Sequence, residues 1–405
     1  MWPYLRFIAR HRRFLAFGVL LALASSFGQT FFIALFGAEL RAAMDLSHGE
    51  FGALYSAATL ASGLLLLWLG SAVDRFDLRA VTACVCLGLV ASAAAMAVAE
   101  SLWLLLLAIF GLRLSGQGLL GHVSATSMAR YFDDGRGRAL SIASLGHPAG
   151  EAVFPALAVI AIAALGWRQS WAAVAALVAL VVIPTSMWLL RGHALRHDRM
   201  LARAEREVRD EGRRHWRRSE VLRDLRLYLI LPAVLAPAFI NTGVFFHQVH
   251  IVASKGWSLS AFAAAFTVYA TSTVAGALWA GALVDRLGGV RMLKFVLLPL
   301  GAGLAIMALS AHLAAAFAYM ALAGATQGAA TTAFGAMWAE RYGYRHLGSI
   351  RALAQSLMVL TTALAPYTLG ILIDAGVSVE RVFAVLVAYV GVAVALVMVA
   401  SRADR

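Results

Sequence analysis

The chain has 405 residues, 61% of them hydrophobic and 14% charged, with a mean hydropathy of +0.79. That balance cannot supply the polar surface of a water-soluble particle, so soluble classes are excluded and the solvent is lipid. A formal net charge of +13 invites a nucleic-acid reading, which the placement of the basic residues does not support.

Apolar runs able to cross about 30 Å of hydrocarbon as helix recur along the whole chain. Twelve are expected, near 14–37, 50–73, 78–99, 101–129, 138–166 and 168–190, then 226–253, 258–284, 290–310, 312–338, 347–375 and 380–401. They are numbered as spans 1 to 12. The first run is too long for a signal core and no small-residue cleavage site follows it, so it is expected to remain. Cys84 and Cys86 lie two apart in span 3 and project to different helix faces, which disfavours a disulfide or a metal site.

Arginines border alternate ends of these spans: Arg6, Arg10, Arg12 and Arg13 precede span 1, Arg75 and Arg79 follow span 2, and Arg130, Arg136 and Arg138 follow span 4. Arg286, Arg291 and Lys294 follow span 8, and the opposite loops are poor in Lys and Arg. By the positive-inside rule both termini and the longest loop face the cytoplasm, which places the chain as a multi-pass protein of the inner (plasma) membrane. The domains expected are a six-helix bundle over 1–190, an Arg-rich connector over 191–225 and a second six-helix bundle over 226–405. Arg199, Arg203, Arg206 and Arg209 of the connector, interspersed with Glu205, Glu207 and Asp210, read as a surface helix with anionic lipid as its partner, or as a solvated linker that only fixes topology. With no aromatic stacking platform around it, nucleic acid is not an expected partner.

The two halves repeat. Gly70-Ser71-Ala72-Val73-Asp74-Arg75 after span 2 returns as Gly281-Ala282-Leu283-Val284-Asp285-Arg286 after span 8, an offset of 211. Arg130-Tyr131 returns as Arg341-Tyr342 at the same offset, and Gln117-Gly118 of span 4 corresponds to Gln327-Gly328 of span 10. Twelve spans in two halves, a long central loop and the repeated Gly-x-x-x-Asp-Arg resemble the major facilitator superfamily over essentially the whole chain. Arg113-Leu114-Ser115-Gly116-Gln117-Gly118 is similar to its Arg-x-x-x-Gln-Gly motif, although the arginine is absent from the second copy. The resemblance implies an all-α membrane protein, twelve transmembrane helices in two pseudo-symmetric bundles, working by alternating access; no cofactor is expected, and an enzyme is disfavoured because no Ser-His-Asp, paired-carboxylate or multi-His constellation sits at one depth. It also implies cytoplasmic latches: Gly70, Asp74 and Arg75 against span 11, and Gly281, Asp285 and Arg286 against span 5. An aspartate at a helix end suits that role because it accepts charge-assisted hydrogen bonds and complements a neighbouring helix N-terminus.

Charges inside spans are costly and therefore informative. Arg113 in span 4 and Glu151 in span 5 are the deepest, with Gln117 one turn from the arginine and His147 one turn from the glutamate. One reading has Arg113 and Gln117 binding a substrate carboxylate or phosphate while Glu151 or His147 exchanges a proton. The other makes Arg113 and Glu151 a permanent salt bridge between adjacent spans. Two ligands at helical spacing, His147 and Glu151, do not make a metal site.

Gln29-Thr30 of span 1 matches Asn241-Thr242 of span 7 at an offset of 212. Pro232 and Pro237 are expected to interrupt span 7 just before Asn241, Phe245 and His247, and interrupted helices at mid-depth mark transporter binding sites. Gln29, Asn241, His247, Phe245 and Gln327 are accordingly candidate substrate contacts, against the plainer alternative of interhelical polar contacts and core aromatics.

Arg136-Gly137-Arg138, Gly146, Gly150, Pro155 and Gly166-Trp167-Arg168 resemble the span 4 to 6 region of monocarboxylate and related organic-anion carriers. Residues 260–283 depart from that branch in having no charge, and span 1 has no lysine, so an anion would rely on Arg113 with Arg351 near the start of span 11. The function expected is proton-coupled movement of a small organic anion such as a monocarboxylate by a monomeric carrier. A proton-driven efflux antiporter for amphipathic compounds and a non-transporting sensor or scaffold remain as alternatives.

Overall fold

The computed structural model describes residues 2–69, 76–132, 136–192, 218–342 and 347–402, and among these every regular element is helical. The connector arginines 199–209 and the first latch, Gly70 to Arg75, lie outside the described residues. Nine of the helices are each long and apolar enough to cross a membrane, and a bent pair, Arg6–Gly28 with Thr30–Met44, makes a tenth. The fold is the twelve-helix arrangement expected of two six-helix halves.

Span boundaries follow from local chemistry. Ser101 opens span 4 by accepting the Leu104 N–H, Asp224 opens span 7 by accepting that of Arg226, and Ser258 opens span 8 by accepting that of Ala261. Each satisfies an amide that the first helical turn leaves without a partner. Gly166 (φ 79°) and Gly376 (φ 75°) turn the chain between spans 5 and 6 and between spans 11 and 12. Both adopt the left-handed conformation that costs a side chain most, and they occupy equivalent places in the two halves.

By packing, the helices form two units, Met1–Phe36 with Ala58–Gly212, and Gly37–Ala57 with Arg213–Arg405. Within the first, span 1 packs on span 5 and span 3 on span 6; within the second, span 7 packs on span 11 and span 9 on span 12. The pairings repeat as the sequence does. Spans 8 and 10 make the most extensive contact, built on small residues: a Cβ on Gly276 would lie 2.9 Å from Cα of Ala325, and one on Gly328 2.6 Å from the Ala277 nitrogen. Between helices in lipid, where burial brings no hydrophobic gain, such backbone approach supplies the van der Waals contact that holds them.

The interruption expected in span 7 falls instead in span 1. Leu225–Phe246 runs as one helix through Pro232 and Pro237, and the hydroxyl of Tyr389 donates to the Pro232 carbonyl at 3.0 Å. Span 1 stops at Ala24, tightens into a 3-10 turn over Ser25–Gly28, is extended at Gln29 (φ −80°, ψ 151°) and resumes at Thr30 with a 45° bend. Span 4 is irregular at a related place: its α-helix Leu102–Gly111 widens into a π-helix over Leu112–Leu120 before Gly121–Tyr131.

Candidate functional site

The two irregular segments meet in the first unit. A Cβ on Gly28 would lie 2.8 Å from Cα of Gly116 and one on Gly116 2.7 Å from Cα of Gly28, so the backbones of the span 1 turn and the span 4 π-helix touch without side chains between them. Arg113, 2% exposed, lies in this π-helix. Its Nε donates to Thr59 Oγ1 at 3.1 Å, and its Nη1 donates to the Gly28 carbonyl at 3.2 Å and to Thr30 Oγ1 at 3.3 Å. The guanidinium therefore binds a carbonyl of the 3-10 turn and ties spans 1, 2 and 4 together.

Arg113 and Glu151 do not form the salt bridge that one sequence reading allows. Glu151 has no hydrogen bond or ion pair among the described residues. It sits at the middle of the Ala139–Leu165 span, half-buried, one residue from Gly150, which presses against Ser26 of the span 1 turn. Ser26 Oγ is itself buried with no hydrogen-bond partner among the described residues.

One turn before Glu151, His147 lies 3.2 Å from Ser25 Oγ through Nδ1. Ser25 already donates its proton to the Ala22 carbonyl at 2.7 Å, so the imidazole must donate from Nδ1 and keep Nε2 as its open acceptor in the neutral form. Span 5 thus presents two titratable groups on one face beside the break in span 1. Gln29 and Gln117 flank that break, both half-buried.

In the second unit, Asn241 of span 7 and Gln327 of span 10 approach at 3.5 Å, and Tyr319 donates its hydroxyl to Asn241 Oδ1 at 3.4 Å. Gln327 also lines a cavity of about 300 Å³ with Thr331, Phe334, Trp338, Val234 and Pro237. Phe245 packs against Phe266 (5.0 Å between ring centroids) and Tyr269 (5.3 Å), a core position. His247 is 3% exposed and donates from Nε2 to the Pro366 carbonyl at 2.9 Å, apart from the Asn241 and Gln327 group. Among the described residues no group of three His, Cys, Asp or Glu is placed to hold a metal ion.

Gly281, Asp285 and Arg286 all lie in the last turns of the span 8 helix Leu259–Leu287, with Arg286 exposed. The carboxylate seen to cap the next helix is one that motif reasoning passed over. Glu340, at the end of span 10, accepts the N–H groups of Gly289 at 2.8 Å and Val290 at 3.2 Å. Asp224 plays a comparable part at the start of span 7, where it accepts the Tyr342 hydroxyl at 3.0 Å and lies 3.9 Å from Arg341. The repeated Arg-Tyr dipeptide was the available signal for that contact, since its second copy supplies both partners.

The model of the Major Facilitator Superfamily matches residues 17–250 and, again, residues 233–405. The nucleoside transporter NupG (D323A mutant) is similar in structure, with a TM-score of 0.73 at 12% identity over 96% of this chain and 99% of that one. A bacterial homolog of the human lysosomal transporter Spinster, inward-facing and unoccupied, gives 0.69 at 15% identity over 97% of each chain. At these identities the likeness is one of fold. No curated protein matches the chain.

Proposed function

Because the chain belongs to the major facilitator superfamily, a family of multi-pass membrane transporters, we propose that it is a proton-coupled secondary carrier of a small organic solute, with Glu151 as the proton-exchanging group. The observation that carries this reading is the state of Glu151: a carboxylate at mid-span with no hydrogen bond or ion pair among the described residues. A charge at that depth costs about 2.5–3.5 kcal/mol on insertion scales, so a carboxylate kept there without a counter-ion has a use for its proton. His147, with Nε2 open, stands one turn away to relay it.

The substrate favoured is an organic anion, attracted by the guanidinium of Arg113 and the amides of Gln117 and Gln29. Arg113 is suited to this in being held rigid by threonines and a carbonyl. The cavity beside Gln327 favours a second reading, a planar polar solute stacked on Trp338 or Phe334 with the amide at its edge. Both termini cytoplasmic, with the latch motifs on that side, completes the proposed topology.

The test is uptake into proteoliposomes under an imposed inward proton gradient, with a panel of small carboxylates and nucleosides. Acid-driven uptake of a carboxylate that Glu151→Gln abolishes, while counterflow exchange of the same solute persists, supports the reading. Uptake that ignores the gradient, or a Glu151→Gln protein that still concentrates solute, overturns it.

A further inference from the structure

The segment Gly37–Ala57 belongs by packing to the second unit, although the chain on either side of it belongs to the first. Two sets of contacts hold it there. Asp374, at the end of span 11, accepts the backbone N–H groups of His48 at 3.2 Å and Gly49 at 2.6 Å, the first amides of the span 2 helix His48–Leu69. Glycines let the two helices touch: a Cβ on Gly52 would lie 2.7 Å from the Pro366 carbonyl oxygen, and one on Gly370 3.0 Å from Cα of Gly49.

Around this junction stand three imidazoles. The rings of His48 and His250 meet edge to face with centroids 4.6 Å apart, and His48 lies 5.8 Å from His247. His247 is buried and fixed by its bond to Pro366. His48 and His250 are only half-buried, and the ring nitrogens of His48 make no hydrogen bond among the described residues.

We propose that His48 and His250 form a proton-binding site that releases residues 37–57 from spans 7 and 11. The proposal rests on the alternating-access reading and names the regulation of one step in it. Two protonated rings at this separation repel each other. They also stand near Arg41 and at the amino end of the span 2 helix, whose partial charge is positive. Among the described residues, Asp374 is the attractive carboxylate facing both rings. Glu39 faces Arg41, Glu50 is engaged in accepting the Ser47 N–H, and Lys255 is taken by Glu380 at 2.6 Å.

Desolvation, then Arg41 and His250, lower the pKa of His48 to about 4. A free imidazole titrates near 6.5. The held state therefore has its full stability above about 6.5, and loses it as pH falls toward about 4, because the released state binds the protons that the held state refuses.

Spin labels at Ala43→Cys and Ala375→Cys, both exposed, in a Cys84→Ala, Cys86→Ala background in nanodiscs, report the junction by distance distribution and need no substrate. Between pH 7.5 and 4.5 a longer distance is expected to grow in, and His48→Gln with His250→Gln should hold the short distance through the same range. A distribution unchanged by pH, or the same response in the double variant, overturns the proposal. Asp374→Asn controls for protonation of that carboxylate: a short distance at pH 7.5 that still lengthens on acidification supports the histidines, and a loss of all pH response overturns them. Failure here with intact proton-driven uptake would leave the carrier reading standing, whereas failed uptake with an intact pH response would leave the junction standing.

Discussion

Gly28 and Gly116 bring the backbones of spans 1 and 4 into direct contact, each so placed that a Cβ would lie within 2.8 Å of the other's Cα. Neither backbone has room to retreat, because Gly28 ends the 3-10 turn and Gly116 is central to the π-helix. Gly116→Val is expected to lower stability by about 1–3 kcal/mol, the usual cost of overpacking. Gly118→Ala, two residues on, would meet only the Leu66 side chain and the Arg113 carbonyl at 3.4 Å and is expected to be near neutral. Thermal unfolding in detergent compares the two, and equal losses would mean that the glycine contact is not what holds this junction.

Arg113 donates to Thr59, to the Gly28 carbonyl and to Thr30 on two other spans, and only a forked donor reaches all of these. Arg113→Lys keeps the charge but leaves at least one buried oxygen without a donor, at a cost of about 1–3 kcal/mol. If charge alone draws the substrate, Arg113→Lys should retain uptake at a raised KM while Arg113→Gln loses it. Equal loss of transport and of thermal stability in both variants would make the residue a tie between spans and remove it from the substrate site.

The duplication was legible because it rests on spacing, and the offset of 211 reappears in matched span pairings and in the paired turns at Gly166 and Gly376. The break in span 1 was not. Ser25-Ser26-Phe27-Gly28-Gln29 carries no proline, and what bends it is tertiary: the Gly116 backbone on one side and the Arg113 guanidinium on its carbonyl. Prolines pointed to span 7, where a helix confined by its neighbours continues past them. Composition also made Glu151 conspicuous as a deep charge, yet whether it met Arg113 depended on rotation about two helix axes, which the sequence does not encode locally. His48 and His250 drew no attention for a similar reason, since their contact joins residues some two hundred positions apart.

Glu340 caps the helix Gly289–Val296 from the end of span 10, with Gly288 (φ 83°) forming the turn between. Two orphan amides and the positive end of that helix lose their partner in Glu340→Ala, for which about 1 kcal/mol of destabilisation is expected. Glu340→Gln keeps an acceptor oxygen and should lose less. Hydrogen exchange at Gly289 and Val290 reads the cap directly: it should accelerate in the alanine variant, and unchanged protection there would show that the carboxylate contributes nothing to the turn.

Gln327 and Trp338 separate the two substrate readings. Gln327 contacts Asn241, which in turn accepts from Tyr319, so Gln327→Ala takes an amide from the cavity and also leaves Asn241 with one partner fewer. Trp338 lines the same cavity and stacks on Tyr342 with centroids 6.1 Å apart, and Trp338→Leu removes an aromatic face while keeping the wall apolar. For a planar solute, loss of stacking should weaken binding by about 0.5–1.5 kcal/mol, a rise in KM of roughly two- to twelve-fold with little change in maximal rate. For a small carboxylate bound through Arg113, the same substitution should leave KM unaltered, while Arg113→Gln raises it. Initial uptake rates for one carboxylate and one nucleoside across these three variants decide between the readings, because stacking and charge attraction act through residues of different units.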